Sequence, residues 1–150
     1  MAKNFFNRGN TLPYLGIRFQ SKYNVCNMKC PYCICREDKN PAFDFNIFKG
    51  ILTGINKLPA KVCLQIGTQG EIFTSQVILE EIKNLCNKKN NIFGVTFLSN
   101  INFDLNKIIK PFLDSVNTGK LGMGCTLHDL VIEDIDMFFK KVKIIKEKGV

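Results

Sequence analysis

The chain has little that points to a membrane or a secretory route. No apolar run approaches the ~20 residues that a spanning helix needs. The first residues carry Lys3 and Arg8 without an apolar stretch of signal-peptide type, so a cytoplasmic protein is expected. There is no linker-like stretch, no low-complexity segment and no internal repeat, and 150 residues suit one domain. Histidine occurs once, as His128, so imidazole chemistry falls to that residue alone. Acidic residues are scarce: 13 Asp and Glu face 21 Lys and Arg, for a net charge of +8. The excess is concentrated in residues 1–50, with eight basic against three acidic side chains. Charge of this kind attracts polyanions but also describes an ordinary lysine-rich surface. Cysteine runs the other way. Seven residues are an odd number for a disulfide framework and suit a reducing compartment.

Three of those cysteines form the pattern on which the chain is organised. Cys26-Asn27-Met28-Lys29-Cys30-Pro31-Tyr32-Cys33 holds three soft thiolate donors at CxxxCxxC spacing. Three donors are one short of a closed tetrahedral zinc site. They are also one short of the four thiolates of an ordinary iron–sulfur cluster. Either a distant fourth ligand completes the site, or one metal corner stays open for chemistry.

Around this loop the pattern alternates strand and helix. Tyr14–Phe19, Val62–Ile66, Gly94–Leu98 and Leu121–Leu127 read as strands. Phe45, Phe48, Leu52 and Ile55 mark a first helix behind an Asp44 cap, ended by Pro59. Ile78, Ile82 and Leu85 mark a second behind Ser75. Leu105, Ile108, Ile109 and Phe112 mark a third behind Asp104, kinked or split by Pro111. Ile132, Ile135, Phe138, Phe139, Val142 and Ile145 mark a fourth, with lysines opposite and Gly149 as its C-terminal cap. Residues 1–13 read as an irregular arm, and Lys39-Asn40-Pro41 as a break. Four βα units in this order predict an α/β fold with a parallel sheet covered by helices. In such folds, active sites collect at the C-terminal ends of the strands. The strands here end in the cysteine loop, Gly67–Glu71, Ser99-Asn100, and Thr126 with His128.

The Cys26–Cys33 motif, with Tyr32 before its third cysteine, resembles the signature of the radical S-adenosylmethionine (SAM) enzymes. The resemblance implies a [4Fe–4S] cluster on Cys26, Cys30 and Cys33. Its fourth iron would be chelated by SAM, which is cleaved reductively to a 5′-deoxyadenosyl radical that abstracts hydrogen from a substrate. It further implies that Tyr32 lies near the adenine. Gln69-Gly70-Glu71-Ile72 is similar to the family's Gly-Gly-Glu-Pro stretch, whose backbone meets the SAM amino group; Gly70 and Glu71 match and Gln69 and Ile72 do not. Ser99, Asn100 and Thr126 are candidates for the SAM ribose or carboxylate, or simply tie down strand ends. His128 is a candidate donor or acid–base group, or a structural histidine. Cys35 is read as a spare thiol, since a fourth cysteine ligand would close the site. Cys63, Cys86 and Cys125 are read as small buried hydrophobes. Asp129, Glu133, Asp134 and Asp136 complement the dipole of the fourth helix.

The family's domain is a partial TIM-type barrel of six βα units, so these four are expected to form a half barrel over residues 14–150, truncated before a fifth strand. A flavodoxin or ferredoxin would supply the electron; the substrate is unknown. A non-catalytic zinc module, completed by Cys35 or His128, is one alternative. A radical SAM enzyme modifying RNA, suggested by the basic first third, is another.

Overall fold

A computed structural model describes residues 14–22, 26–33, 44–128 and 134–150. The arm 1–13, the break at residues 39–41, Cys35, Asp129, Ile132 and Glu133 lie outside the described residues. Four parallel strands form one sheet: β1 (Tyr14–Lys22), β2 (Lys61–Gln69), β3 (Ile92–Ser99) and β4 (Leu121–Cys125). Their spatial order follows the chain, β1-β2-β3-β4, with no reversal. The helices are α1 (Phe45–Asn56), α2 (Gln76–Asn87), α3 (Lys110–Ser115) and α4 (Ile135–Glu147). The predicted α/β class and parallel sheet are therefore observed. Among the described residues no helix is long and apolar enough to cross a membrane.

The helix starts are set by short polar side chains. The Asp44 carboxylate accepts from Asn46 N and Ile47 N at 2.8 and 3.1 Å. Ser75 Oγ accepts from Ile78 N, and Asp104 accepts from Asn106 N and Lys107 N. Each satisfies amide donors that a helix start leaves without partners. Pro111 divides the third helix as its chemistry requires. With no N–H and a bulky ring, it widens the preceding turn, Leu105–Ile109, into a π-helix before α3 continues. Gly149, at φ +87°, ends α4 in the left-handed conformation that glycine tolerates.

Strand lengths follow their partners. β1 runs on to Lys22, three residues past its predicted end, because β2 pairs with it as far as Gln69. β4 stops at Cys125, two residues short of its predicted end. Thr126 N makes a last bond to Ser99 O at 2.8 Å, and beyond Ser99 β3 has turned away.

The two faces of the sheet differ. Register puts Ile17, Leu64, Val95 and Leu121 on one level of one face, with Phe19, Ile66, Phe97 and Met123 on the next. The helices cover this face. Phe48 of α1 meets Phe19 at 4.7 Å between ring centroids, and Phe112 of α3 meets Phe97 at 6.3 Å. Ile78 and Ile82 of α2 and Phe138 and Ile145 of α4 join the same core. The opposite face carries Gly16, Arg18, Cys63, Gln65, Gly94, Thr96, Leu98, Gly122 and Gly124. There Arg18 and Gln65 are exposed, and Leu98 is 59% exposed. Parallel sheets are ordinarily covered on both faces, so this open face is unusual.

The fourth helix corrects its predicted apolar face. Phe138, Lys141 and Ile145 are buried, whereas Ile135 and Phe139 are exposed, the latter by 56%. Six apolar positions made a stripe wider than the arc that meets the core. Lys141 lays its stem along that arc and donates from Nζ to the Ile101 carbonyl at 3.2 Å. Ile101 is left-handed, at φ +47°, which costs a β-branched residue roughly 1–2 kcal/mol.

Burial holds the Lys141 ammonium below its usual pKa of 10.5, while Asp104 and Asp134 pull it back up. The unfolded lysine therefore binds its proton more tightly than the folded one. Below the folded pKa the penalty is complete; it fades as pH rises from the folded pKa to 10.5. Thermal melts of the protein and of Lys141→Met across this range should show the wild type gaining stability on the variant with rising pH. A pH-independent gap would mean that the folded and unfolded lysines titrate alike.

Candidate functional site

All four strand ends sit at one edge of the sheet, and the cysteine loop leaves from the first of them. Inside the loop, Cys33 N donates to Cys30 O at 3.2 Å, a tight turn that carries Pro31 and Tyr32 at its tip. Cys26 and Cys33 are exposed and Cys30 is buried.

Two side-chain bridges tie the loop to distant strand ends. At β3, Asn100 Nδ2 donates to Asn27 Oδ1 at 2.8 Å and lies 3.9 Å from Cys26 Sγ. Asn27 Nδ2 in turn donates to Asn102 O at 2.7 Å. At β4, Tyr32 and His128 share a hydrogen bond of 3.3 Å between Oη and Nδ1, with their rings stacked 6.0 Å apart. Cys26, Tyr32, Asn100 and His128 stand out separately by residue type and position; the structure brings them into two contacts spanning one edge.

Glu71 organises the layer beneath. Its side chain is 2% exposed. Oε1 accepts from Ser99 Oγ at 2.7 Å and Phe73 N at 3.2 Å, and Oε2 accepts from Asn100 N at 2.7 Å. Ser99 Oγ also accepts from Ile101 N at 2.9 Å, and Asn100 Oδ1 from Asn102 N at 2.8 Å. With three donors on it, the carboxylate fixes the end of β3 and, through Asn100, the start of the cysteine loop. Ser99 is buried beside it, while the Thr126 side chain is exposed and joins the network only through its backbone.

Gly70 precedes Glu71 at φ +120°, a conformation that side-chain-bearing residues rarely adopt. This turn is what swings Glu71 back under β3. Gly70→Ala is accordingly expected to cost roughly 1–3 kcal/mol in urea unfolding, the usual cost of a strained backbone position. An unchanged midpoint would mean that the turn readjusts freely.

The thiols outside the loop are tuned by burial. Burial pushes Cys86 up to about 12, against the opposing pull of the Lys120 charge. Burial also raises Cys63, and it raises Cys125 with help from the Glu71 charge. Only Cys86 is fully buried as expected; Cys63 and Cys125 are half-buried, Cys63 because it lies on the open face of the sheet.

Asn27, Asn102 and Lys141 were not legible as site residues. Asn27 stands directly after the first cysteine, which was the one available signal, but it is one asparagine in an asparagine-rich chain.

The donor set suits a thiolate-held cluster: three soft ligands in eight residues, on a loop anchored at both ends of its span. Among the described residues no group of three or more Cys, His, Asp or Glu side chains is arranged to hold a metal ion. No protein-family model matches the chain, and neither a curated protein nor a solved structure matches it.

Proposed function

We propose that this chain is a radical SAM domain in which Cys26, Cys30 and Cys33 hold a [4Fe–4S] cluster and the neighbouring strand ends hold SAM. The observation that carries this reading is the meeting of the cysteine loop with Asn100 and His128 at one sheet edge. Chain-order strands and helices on one face also fit four βα units of a partial TIM-type barrel, with its interior side at the open face.

When bound, the cluster would supply the electron that cleaves SAM; a cytoplasmic flavodoxin or ferredoxin would deliver it. The residues of this chain do the positioning. Asn100 offers an N–H to the Cys26 sulfur, and hydrogen bonds to ligand sulfurs are among the terms that set a cluster's potential. Tyr32 presents an aromatic face near the loop tip and is held in orientation by His128. Gly70 opens the backbone at the end of β2, where a ligand amino group could meet carbonyl oxygens. Glu71 acts through Ser99 and Asn100 and is a positioning residue.

Anaerobic purification followed by reconstitution with iron and sulfide tests the reading. A brown protein with about four irons per chain and SAM-dependent changes in its spectrum supports it. A colourless protein that takes zinc and refuses iron overturns it in favour of a structural zinc module.

A further inference from the structure

The open face of the sheet has a composition of its own. Five of its positions are glycine: Gly16, Gly67, Gly94, Gly122 and Gly124. The space this leaves is local to β1 and β2. A Cβ at Gly16 would meet nothing within 4 Å, whereas the side chains of Thr96 and Leu98 fill the space over Gly122 and Gly124.

Into this space projects Arg18, from the middle of β1. The chain has three arginines among its 21 basic residues, and Arg18 is the only one among the described residues. Its guanidinium lies along the sheet over β2. A Cβ at Gly67 would stand 3.3 Å from Arg18 Nε and 3.6 Å from Nη2, so the glycine leaves room for the planar group. Among the described residues Arg18 has no ion-pair partner and no acidic side chain occupies that face. Gln65 and Thr96, on the same level as Arg18, add neutral polar groups.

An arginine fork is matched to oxyanions, which accept two parallel N–H bonds from it. Were it merely solvated, a lysine would serve as well, as it does across the rest of the surface. We infer that the open face binds an oxyanion, the carboxylate or phosphate of the substrate, on Arg18 where Gly16 and Gly67 leave room for it. Charge complementarity selects the ligand class: the Arg18 guanidinium, no acidic side chain on that face among the described residues, and the hydrogen-bonding side chains of Gln65 and Thr96 beside it. That this ligand is the substrate rests on the radical SAM reading; the anion binding does not.

Nuclear magnetic resonance on the 150-residue protein tests it without cluster or SAM. Inorganic phosphate and acetate are titrated separately at constant ionic strength, following the Arg18 Nε–Hε signal, assigned by its loss in Arg18→Gln. Saturable shifts of that signal and of the Gly67 amide are expected. Stronger binding of phosphate identifies a phosphate group, and stronger binding of acetate a carboxylate. Arg18→Gln should weaken the preferred anion about tenfold or more, the scale of a lost charged hydrogen bond. Gly67→Ala, which crowds the guanidinium, should weaken it with the fold intact. Linear, unsaturating shifts, or equal affinity in Arg18→Gln, would overturn the inference. A protein that binds the anion through Arg18 yet takes no iron overturns the radical SAM reading alone. A brown protein whose Arg18 ignores both anions overturns this inference alone.

Discussion

On the proposed radical SAM reading, alanine at Cys26, Cys30 or Cys33 is expected to leave the reconstituted protein without a cluster and without SAM cleavage, whereas Cys35→Ala should leave both intact. The contrast is all or none. A cluster held by three thiolates has no spare ligand, so each of the three is essential. A fourth cysteine ligand would occupy the iron that SAM needs. Cys86→Ala is the internal control. Its thiol, pushed up to about 12 by burial, is neither accessible nor readily ionised. Iron and sulfide analysis together with visible absorption reads the cluster, and chromatography of 5′-deoxyadenosine reads the cleavage. Loss of iron in Cys35→Ala alone would show that the ligand set has been assigned wrongly.

The second large effect is expected at Glu71. Glu71→Ala leaves Ser99 Oγ, Asn100 N and Phe73 N without their acceptor in a buried place. Each abandoned buried donor costs about 1–3 kcal/mol, so a total loss of roughly 3–9 kcal/mol is expected for the three. Against an ordinary stability of about 5–15 kcal/mol, that is severe. Glu71→Gln keeps one oxygen but sets its amide against the Asn100 N–H, donor facing donor, and about 1–3 kcal/mol should be lost. Urea unfolding measures both. A further readout separates charge from shape. The Glu71 charge helps burial raise the Cys125 thiol, so Glu71→Gln should let Cys125 ionise, and react with an alkylating reagent, at lower pH. A Glu71→Ala protein within about 0.5 kcal/mol of wild type, the range of an ordinary surface change, would show that the carboxylate does not hold the end of β3.

What could be read directly from the sequence was local. Alternation in β1, the caps Asp44, Ser75 and Asp104, and the division at Pro111 all depend on residues a few positions apart, where propensity and hydrogen bonding act without tertiary help. Positions that depend on what arrives from elsewhere were not readable in the same way. The buried arc of α4 was misjudged because six apolar residues fit a helical stripe, and only contact with the Ile101 turn selects Lys141 over Phe139. β4 ended early for want of a partner beyond Ser99, which no property of Thr126 or Leu127 announces. At the candidate site, residue types at strand ends were enough to single out Tyr32, Glu71, Ser99, Asn100 and His128. That Glu71 is buried beneath the others, and that Asn27 completes the bridge to Asn100, are facts of long-range geometry.

The chain-order sheet has a consequence for how the protein is made. Ribosomes deliver the cysteine loop early and its anchors late: Asn100 follows Cys26 by 74 residues, and His128 follows Tyr32 by 96. At about 5–20 residues per second, the nascent thiols wait roughly 5–20 s before the last anchor is synthesised. During that interval the loop is tethered only by its own strand, open to oxidants and to adventitious metals. On the proposed reading, cluster loading therefore belongs after translation of β4, and slowing elongation between β1 and β4 lengthens the period in which the thiols stand undefended.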